Sequence, residues 1–190
     1  MTLRLLAVSL VLIVALPTGC AKNARVAITA GDEVALMQPM PGLFTAGQPA
    51  AKDWAAIKAR GIGTVINLRT PEELNGRDEA AEVRAAGLHY LEIPIAGADG
   101  INPANAGTLH AALDPTHGGG VLVHCASGNR VGALLALEQK TFDGVAPERA
   151  LEFGRAAGLT SLEPVVRQRL GLPSIAASDA TRCDASAVKC

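Results

Sequence analysis

Val121-Leu122-Val123-His124-Cys125-Ala126-Ser127-Gly128-Asn129-Arg130-Val131-Gly132 is the stretch on which the reading of this chain turns. Three apolar, largely β-branched residues make a short buried strand, and an apolar helix is predicted over 131–141. Between them lies a turn of small residues that ends in arginine. A thiol acts as a nucleophile through its thiolate, so a reactive cysteine needs groups that favour the anion. Here the amides of Ala126 to Arg130 can point inward, and the helix starting near Asn129 brings its positive end to the same place. Gly128 permits a tight reversal. Arg130 adds a permanent charge whose planar fork suits a tetrahedral oxyanion. A buried structural cysteine is the plain alternative. The junction of strand, small glycine-containing turn, arginine and helix favours an anion-cradling loop, with Cys125 and Arg130 as reactive pair and Ala126, Ser127, Gly128 and Asn129 as its substrate-binding cradle.

Outward from this loop, apolar runs alternate with amphipathic stretches, as βα units do. Short strands are predicted at 34–37 and 43–46, then a helix at 50–60, a strand at 64–68 and a helix at 76–86. A strand over 89–95, a glycine-rich loop carrying Asp99 and a helix over 103–113 lead to the strand 121–123. Helices over 147–157 and 161–170 follow, and Gly171 closes the domain. The expected fold is α/β, a mostly parallel central sheet flanked by helices, with the C-terminal helices on one side. The chain has 190 residues, 49% hydrophobic but only 3% aromatic, so its core must be built from Ala, Val, Leu and Ile. The formal net charge is −1 and no window clusters Lys and Arg, which argues against nucleic acid and against a polybasic membrane surface.

Residues 1–20 read as a signal peptide: Arg4 precedes an apolar run over 5–16 that is shorter than a membrane-spanning helix requires. The run ends Leu16-Pro17-Thr18-Gly19-Cys20, which resembles a lipobox, and Cys20 is the expected lipidation site. Export to a bacterial periplasm or membrane-anchored lipoprotein follows, with the lipid as the only membrane contact. Residues 21–32 read as a linker, 33–171 as the domain and 172–190 as a flexible tail rich in Ala, Ser, Asp and Thr. Cys183 and Cys190 lie close together there, and both a disulfide and two free thiols remain open. No cysteine spacing suggests zinc; His89, His110 and His117 are too scattered for a metal site, and no cofactor is expected.

Four segments carry a family resemblance: Gly42-Leu43-Phe44-Thr45-Ala46-Gly47-Gln48-Pro49; Val65-Ile66-Asn67-Leu68-Arg69 with Pro71-Glu72-Glu73; Ile93-Pro94-Ile95; and His124 to Gly132. Together they resemble the phosphatase-like family associated with beta-lactamase hydrolase-like proteins, a branch of the cysteine-phosphatase superfamily. The resemblance implies a dual-specificity-phosphatase-like fold and a phosphate-ester substrate. Cys125 would attack phosphorus to give a phosphocysteine, and Arg130 would bind the equatorial oxygens. An Asp on a loop before the signature strand serves such enzymes as general acid, and Asp99 stands nearest that place. The sequence departs from the pattern twice. Only Ala126, Ser127, Gly128 and Asn129 separate Cys125 from Arg130, one residue fewer than in familiar cysteine phosphatases, and Val131 replaces the hydroxyl residue that often follows the arginine. The shorter cradle looks like that of rhodanese sulfurtransferases, whose cysteine carries a persulfide. Phosphate hydrolysis, persulfide transfer through Cys125 and simple binding of an oxyanion or phosphoprotein therefore stand as alternatives on one scaffold.

Strand alternation should turn His124 away from Cys125, making it a hydrogen-bonding support rather than a base. Arg69 beside Glu72 and Glu73 reads as a structural ion pair, and Gln48 and Asn67 as ties between loops. Asp114, at a helix end before Pro115, is a poorer candidate for the acid than Asp99.

Overall fold

The computed structural model describes residues 34–113 and 118–174. The segment read as a signal peptide with Cys20, the expected linker over 21–32, Asp114, His117, Cys183 and Cys190 lie outside the described residues.

Five strands, β1 (Met37–Met40), β2 (Leu43–Ala46), β3 (Ile62–Asn67), β4 (His89–Glu92) and β5 (Gly120–His124), form one sheet in the order β1-β2-β5-β3-β4. Only the β1–β2 pair is antiparallel. The most apolar strand, β5, takes the centre: Leu122 pairs with Phe44 of β2 on one side and Val65 of β3 on the other. Parallel neighbours cannot be joined by hairpins, so the chain returns through helices that cover both faces. These are α1 (Trp54–Ala59), α2 (Glu79–Ala85), α3 (Pro103–Ala112), α4 (Asn129–Thr141), α5 (Pro147–Ala156) and α6 (Glu163–Leu170). The fold is the α/β arrangement with a mostly parallel sheet that the sequence pattern implies.

Two apolar layers result. On one face α1 and α2 deliver Trp54, Ile57 and Val83 against Val65 and Leu122. On the other, α3 to α6 bury Leu109, Leu134, Leu151 and Val166 against Ile66 and Val123. Cys125 belongs to the second layer. With one Trp and three Phe in the whole chain, close approach of small residues replaces aromatic bulk. A Cβ built on Gly132 of α4 would lie 2.2 Å from the Leu159 amide nitrogen and 2.4 Å from the Gly154 carbonyl, so α4 and α5 cross with backbones nearly touching.

Element limits differ from expectation for local reasons. The first strand lies at Met37–Met40 rather than 34–37, because an edge strand tolerates Pro39 where a central one would not. The strand expected over 89–95 ends at Glu92, although Ile93 and Ile95 still donate to the Asn67 and Leu68 carbonyls at 2.9 and 3.0 Å. The second helix starts at Glu79, since the Asp78 side chain accepts from the Ala81 amide and caps it there. A short 3-10 turn at Pro71–Leu74, which the sequence pattern does not announce, carries Glu73.

Substituting Gly132→Ala should destabilise the domain by roughly 2 kcal/mol, overpacking outweighing the ~1 kcal/mol gain in helix propensity. Urea unfolding measures this; a stability equal to or above that of the wild type would show that α4 and α5 can move apart.

Candidate active site

Cys125 leaves the carboxyl end of β5 where α4 begins, the edge of a parallel sheet at which ligands commonly bind. Its amide donates to the Ala46 carbonyl at 3.5 Å, and the Leu68 amide donates to the His124 carbonyl at 2.9 Å, so both neighbouring strands hold the strand end in place. Gly128 then turns the chain in the left-handed region at φ 87 and serves as N-cap of α4. Its amide donates to Cys125 Sγ at 3.2 Å. Cys125, 1% exposed, thus accepts a backbone N–H on its sulfur at the positive end of a 13-residue helix, and it is the free cysteine among the described residues.

Arg130, one residue into the same helix, is firmly placed. Its Nη1 donates to Glu73 Oε2 at 2.7 Å, to the Ile95 carbonyl at 2.8 Å and to the Leu68 carbonyl at 3.3 Å, while Nη2 donates to Glu73 Oε1. The hydrogen bond to Glu73 foremost, aided by the nearby Cys125 sulfur, holds the Arg130 pKa above its ordinary value. The same contact pulls the Glu73 carboxyl down to about 2. Arg69 meets Glu73 differently from expectation: it donates through Nη2 to the Glu73 main-chain carbonyl and through Nη1 to Gln48 Oε1. Of the two carboxylates set beside Arg69 from the sequence, that of Glu73 belongs to Arg130, because the turn at 71–74 folds Glu73 towards it.

Before the loop opens a cleft of about 490 Å³, lined by Thr70, Glu73, Ala96, Gly97, Ala98, Asn129, Arg130 and Leu162. Ala126 and Ser127 are exposed at the loop and Gly128 is buried. Asn129 contributes to the wall, yet its side chain is spent on the turn after α5: Oδ1 accepts from the Thr160 and Leu162 amides at 2.8 and 3.3 Å, and Nδ2 donates to Ser161 Oγ at 2.7 Å. Any substrate contact from Asn129 therefore comes from its backbone. Asp99 is exposed, and its carbonyl accepts from Asn102 Nδ2 at 2.9 Å. Three residues just before it line the cleft; Asp99 itself does not.

His124 projects into the other layer, its ring 6.2 Å from that of Trp54. Nε2 approaches Glu79 Oε1 to 2.8 Å without the alignment of a hydrogen bond, and neither ring nitrogen has a hydrogen-bond partner. Both side chains are fully buried. Burial works against the Glu79 carboxylate, but His124, Gln48 and Arg77 outweigh it and hold the pKa below the usual value. Glu79 was hidden in the sequence, because an acid in a first helical turn reads as a dipole match at the surface. Its signal was the spacing of four to Val83, which places both on the buried side of α2. His89 opens β4 at the surface. His110 pairs with buried Glu138 at 2.7 Å, and with Asp143 these form the group of metal-ligand type among the described residues, at the end of α4 away from the loop. They already bond to one another and to Gln139.

A parallel sheet that hands a cysteine to a helix start, with an arginine held beside it, defines a cysteine-phosphatase fold, and solved structures agree. A candidate phosphatase from Shewanella putrefaciens CN-32 superposes with a TM-score of 0.58 at 26% identity, covering 73% of this chain and 87% of that one. TpbA of P. aeruginosa, solved in complex with phosphotyrosine, gives 0.59 at 20% identity over 89% and 99% of the two chains, a likeness of fold. Residues 37–142, more than half of the sequence, match the phosphatase-like domain of beta-lactamase hydrolase-like proteins, and the chain belongs to this phosphatase-like enzyme family. A beta-lactamase hydrolase-like protein of Xylella fastidiosa is 40% identical over 101 residues, 51% of this chain and 23% of that protein. The one from Agrobacterium fabrum is 28% identical over 142 residues, 71% of this chain and 32% of its own length. The chain thus spans less than a third of these relatives.

The depressed Glu73 pKa has a consequence for stability. A carboxylate with a lowered native pKa stabilises the fold above its unfolded value and loses that contribution as pH falls towards the native one. Between about pH 4.5 and 2 the wild type should lose more stability than Glu73→Gln. Thermal unfolding across that range checks this; parallel curves would mean that Arg130 is held without the carboxylate.

Proposed function

We propose that the domain is a cysteine-dependent phosphatase that hydrolyses a phosphate ester through a phosphocysteine. The carrying observation is the Gly128 amide on Cys125 Sγ at 3.2 Å, at the start of α4 and next to Arg130. The sulfur attacks phosphorus, the bond from phosphorus to the ester oxygen breaks, and the departing oxygen takes a proton. Water then attacks the phosphocysteine, releasing phosphate and restoring the thiolate. Amides of the 126–130 loop and the Arg130 charge oppose the negative charge on the transferring group. Asp99 is assigned the proton donor, from a loop whose residues 96–98 line the cleft. Export through the N-terminal segment, with Cys20 as lipid anchor, belongs to the same proposal and rests on the sequence.

Loop length favours a second reading. With only four residues between Cys125 and Arg130, and both outer guanidinium nitrogens engaged, the cradle suits a terminal sulfur held by amides. In that case Cys125 takes the outer sulfur of thiosulfate as a persulfide, releasing sulfite, and passes it to cyanide as thiocyanate.

Phosphate release from an aryl phosphate, measured beside sulfur transfer from thiosulfate to cyanide, separates the two. Cys125→Ser should lower the true activity by about 1,000-fold or more. Phosphate release that survives this substitution would refute the phosphocysteine, and dependence of sulfur transfer alone on Cys125 would install the second reading. Asp99→Asn should slow esters with poor leaving groups about tenfold or more and leave activated aryl esters nearly unchanged; equal loss on both would remove Asp99 as the acid.

A further inference from the structure

Gln48 stands where the active loop and the clamp on Arg130 meet. It follows β2 by two residues, and at Gly47 between them a Cβ would lie 3.2 Å from the Ala126 carbonyl and 3.4 Å from Ser127 Cα, so this segment presses on the loop. The Gln48 backbone amide donates to the Ala126 carbonyl at 3.1 Å. Its side-chain Nε2 donates to the Pro49 carbonyl at 3.1 Å and to Glu79 Oε2, and its Oε1 accepts from Arg69 Nη1. Arg69 in turn donates to the Glu73 carbonyl, and the Glu73 carboxylate grips Arg130. One residue therefore refers the loop backbone, through its main-chain amide, and the arginine, through its side chain and Arg69, to a common point.

We propose that Gln48, anchored on the buried carboxylate of Glu79, is a positioning residue that keeps Cys125 and Arg130 at a fixed separation. The proposal rests on the reading of these two residues as an anion site. Charge decides which way the Gln48 amide faces. Reversed, its oxygen would meet the Glu79 carboxylate and its NH2 group the Arg69 guanidinium, so both contacts would become repulsive. The anchor is well defended: Glu79 is completely buried and also faces Tyr90 OH at 3.4 Å, His124 Nε2 at 2.8 Å and Arg77 Nη1 at 3.7 Å. Methionine would fill the space of Gln48 but could neither donate to Glu79 nor accept from Arg69. Glutamate could accept from Arg69 but would set a second carboxylate against Glu79.

The test follows alkylation of Cys125 by iodoacetamide on the full domain, with inorganic phosphate as the protecting anion. Gln48→Met should raise the phosphate concentration that halves the rate by about tenfold, as a loosened Arg130 meets the anion less often. Gln48→Glu should protect less well still. Combined with Glu79→Gln, it exchanges amide and carboxylate and restores a donor between the two positions, so the double variant should recover to within about threefold of the wild type. A structural role alone would lower Tm and leave phosphate protection of the folded fraction unchanged. Wild-type protection in folded Gln48→Met, or a double variant no better than Gln48→Glu, overturns the assignment; should Gln48→Met not fold, the exchange pair decides. Wild-type alkylation indifferent to phosphate overturns the anion site itself, a failure distinct from that of Gln48.

Discussion

The backbone of Gly128 sets the terms for everything around it. At φ 87 its amide turns back to Cys125 Sγ, and the following residue is already helical. Space is not what selects glycine, because a Cβ would approach nothing closer than 3.5 Å. Conformation is, since an L side chain in this region costs about 1–2 kcal/mol. Any residue that straightened the turn would remove the sulfur's hydrogen bond and the direction of α4 together. The helix is held from the far side by its near contact with α5, so the end that faces Cys125 has little freedom to drift.

Behind the loop lies a cluster of buried polar side chains. His124 and Glu79 are fully enclosed, and Asn67, itself buried, donates to Tyr90 OH at 2.9 Å. Such groups are costly to bury singly; Asn67, Tyr90 and Glu79 are joined by hydrogen bonds, whereas the ring nitrogens of His124 have no hydrogen-bond partner. The layer that contains them has Ala46, Val65 and Leu122 on the sheet, whereas the layer containing Cys125 is almost wholly aliphatic. The sheet thus separates a polar network from the apolar bed of the thiol, and side-chain alternation along β5 puts His124 in one and Cys125 in the other.

Much of this could be read from the chain. The βα alternation, the central strand and the residues of the loop are local patterns, and each sits where its periodicity places it. What escaped was tertiary pairing. Glu73 and Arg69 are close in sequence, but Glu73 gives its carboxylate to Arg130, 57 residues away. That exchange depends on the 3-10 turn at Pro71–Leu74, whose capping by Thr70 and Glu73 is too short to show as a period. Asn129 reads as part of a cradle by position, while the turn at 160–162 that claims its side chain is far along the chain. Asp99 is placed by the order of elements alone: residues 96–98 just before it line the cleft, and Asp99 itself is exposed.

The parallel sheet also determines when the surroundings of the thiol are complete. Cys125 takes its supports from β2, its arginine is held by a turn after β3, and the Ile95 carbonyl comes from the segment after β4. None of these partners is near it in sequence, and contacts of such separation form late, after loop closure has been opposed by chain entropy. In an unfinished chain Cys125 is an ordinary cysteine with an ordinary appetite for oxidants and electrophiles. On the proposed phosphatase reading its nucleophilicity arrives with the completed fold, so the architecture doubles as a safety catch during synthesis.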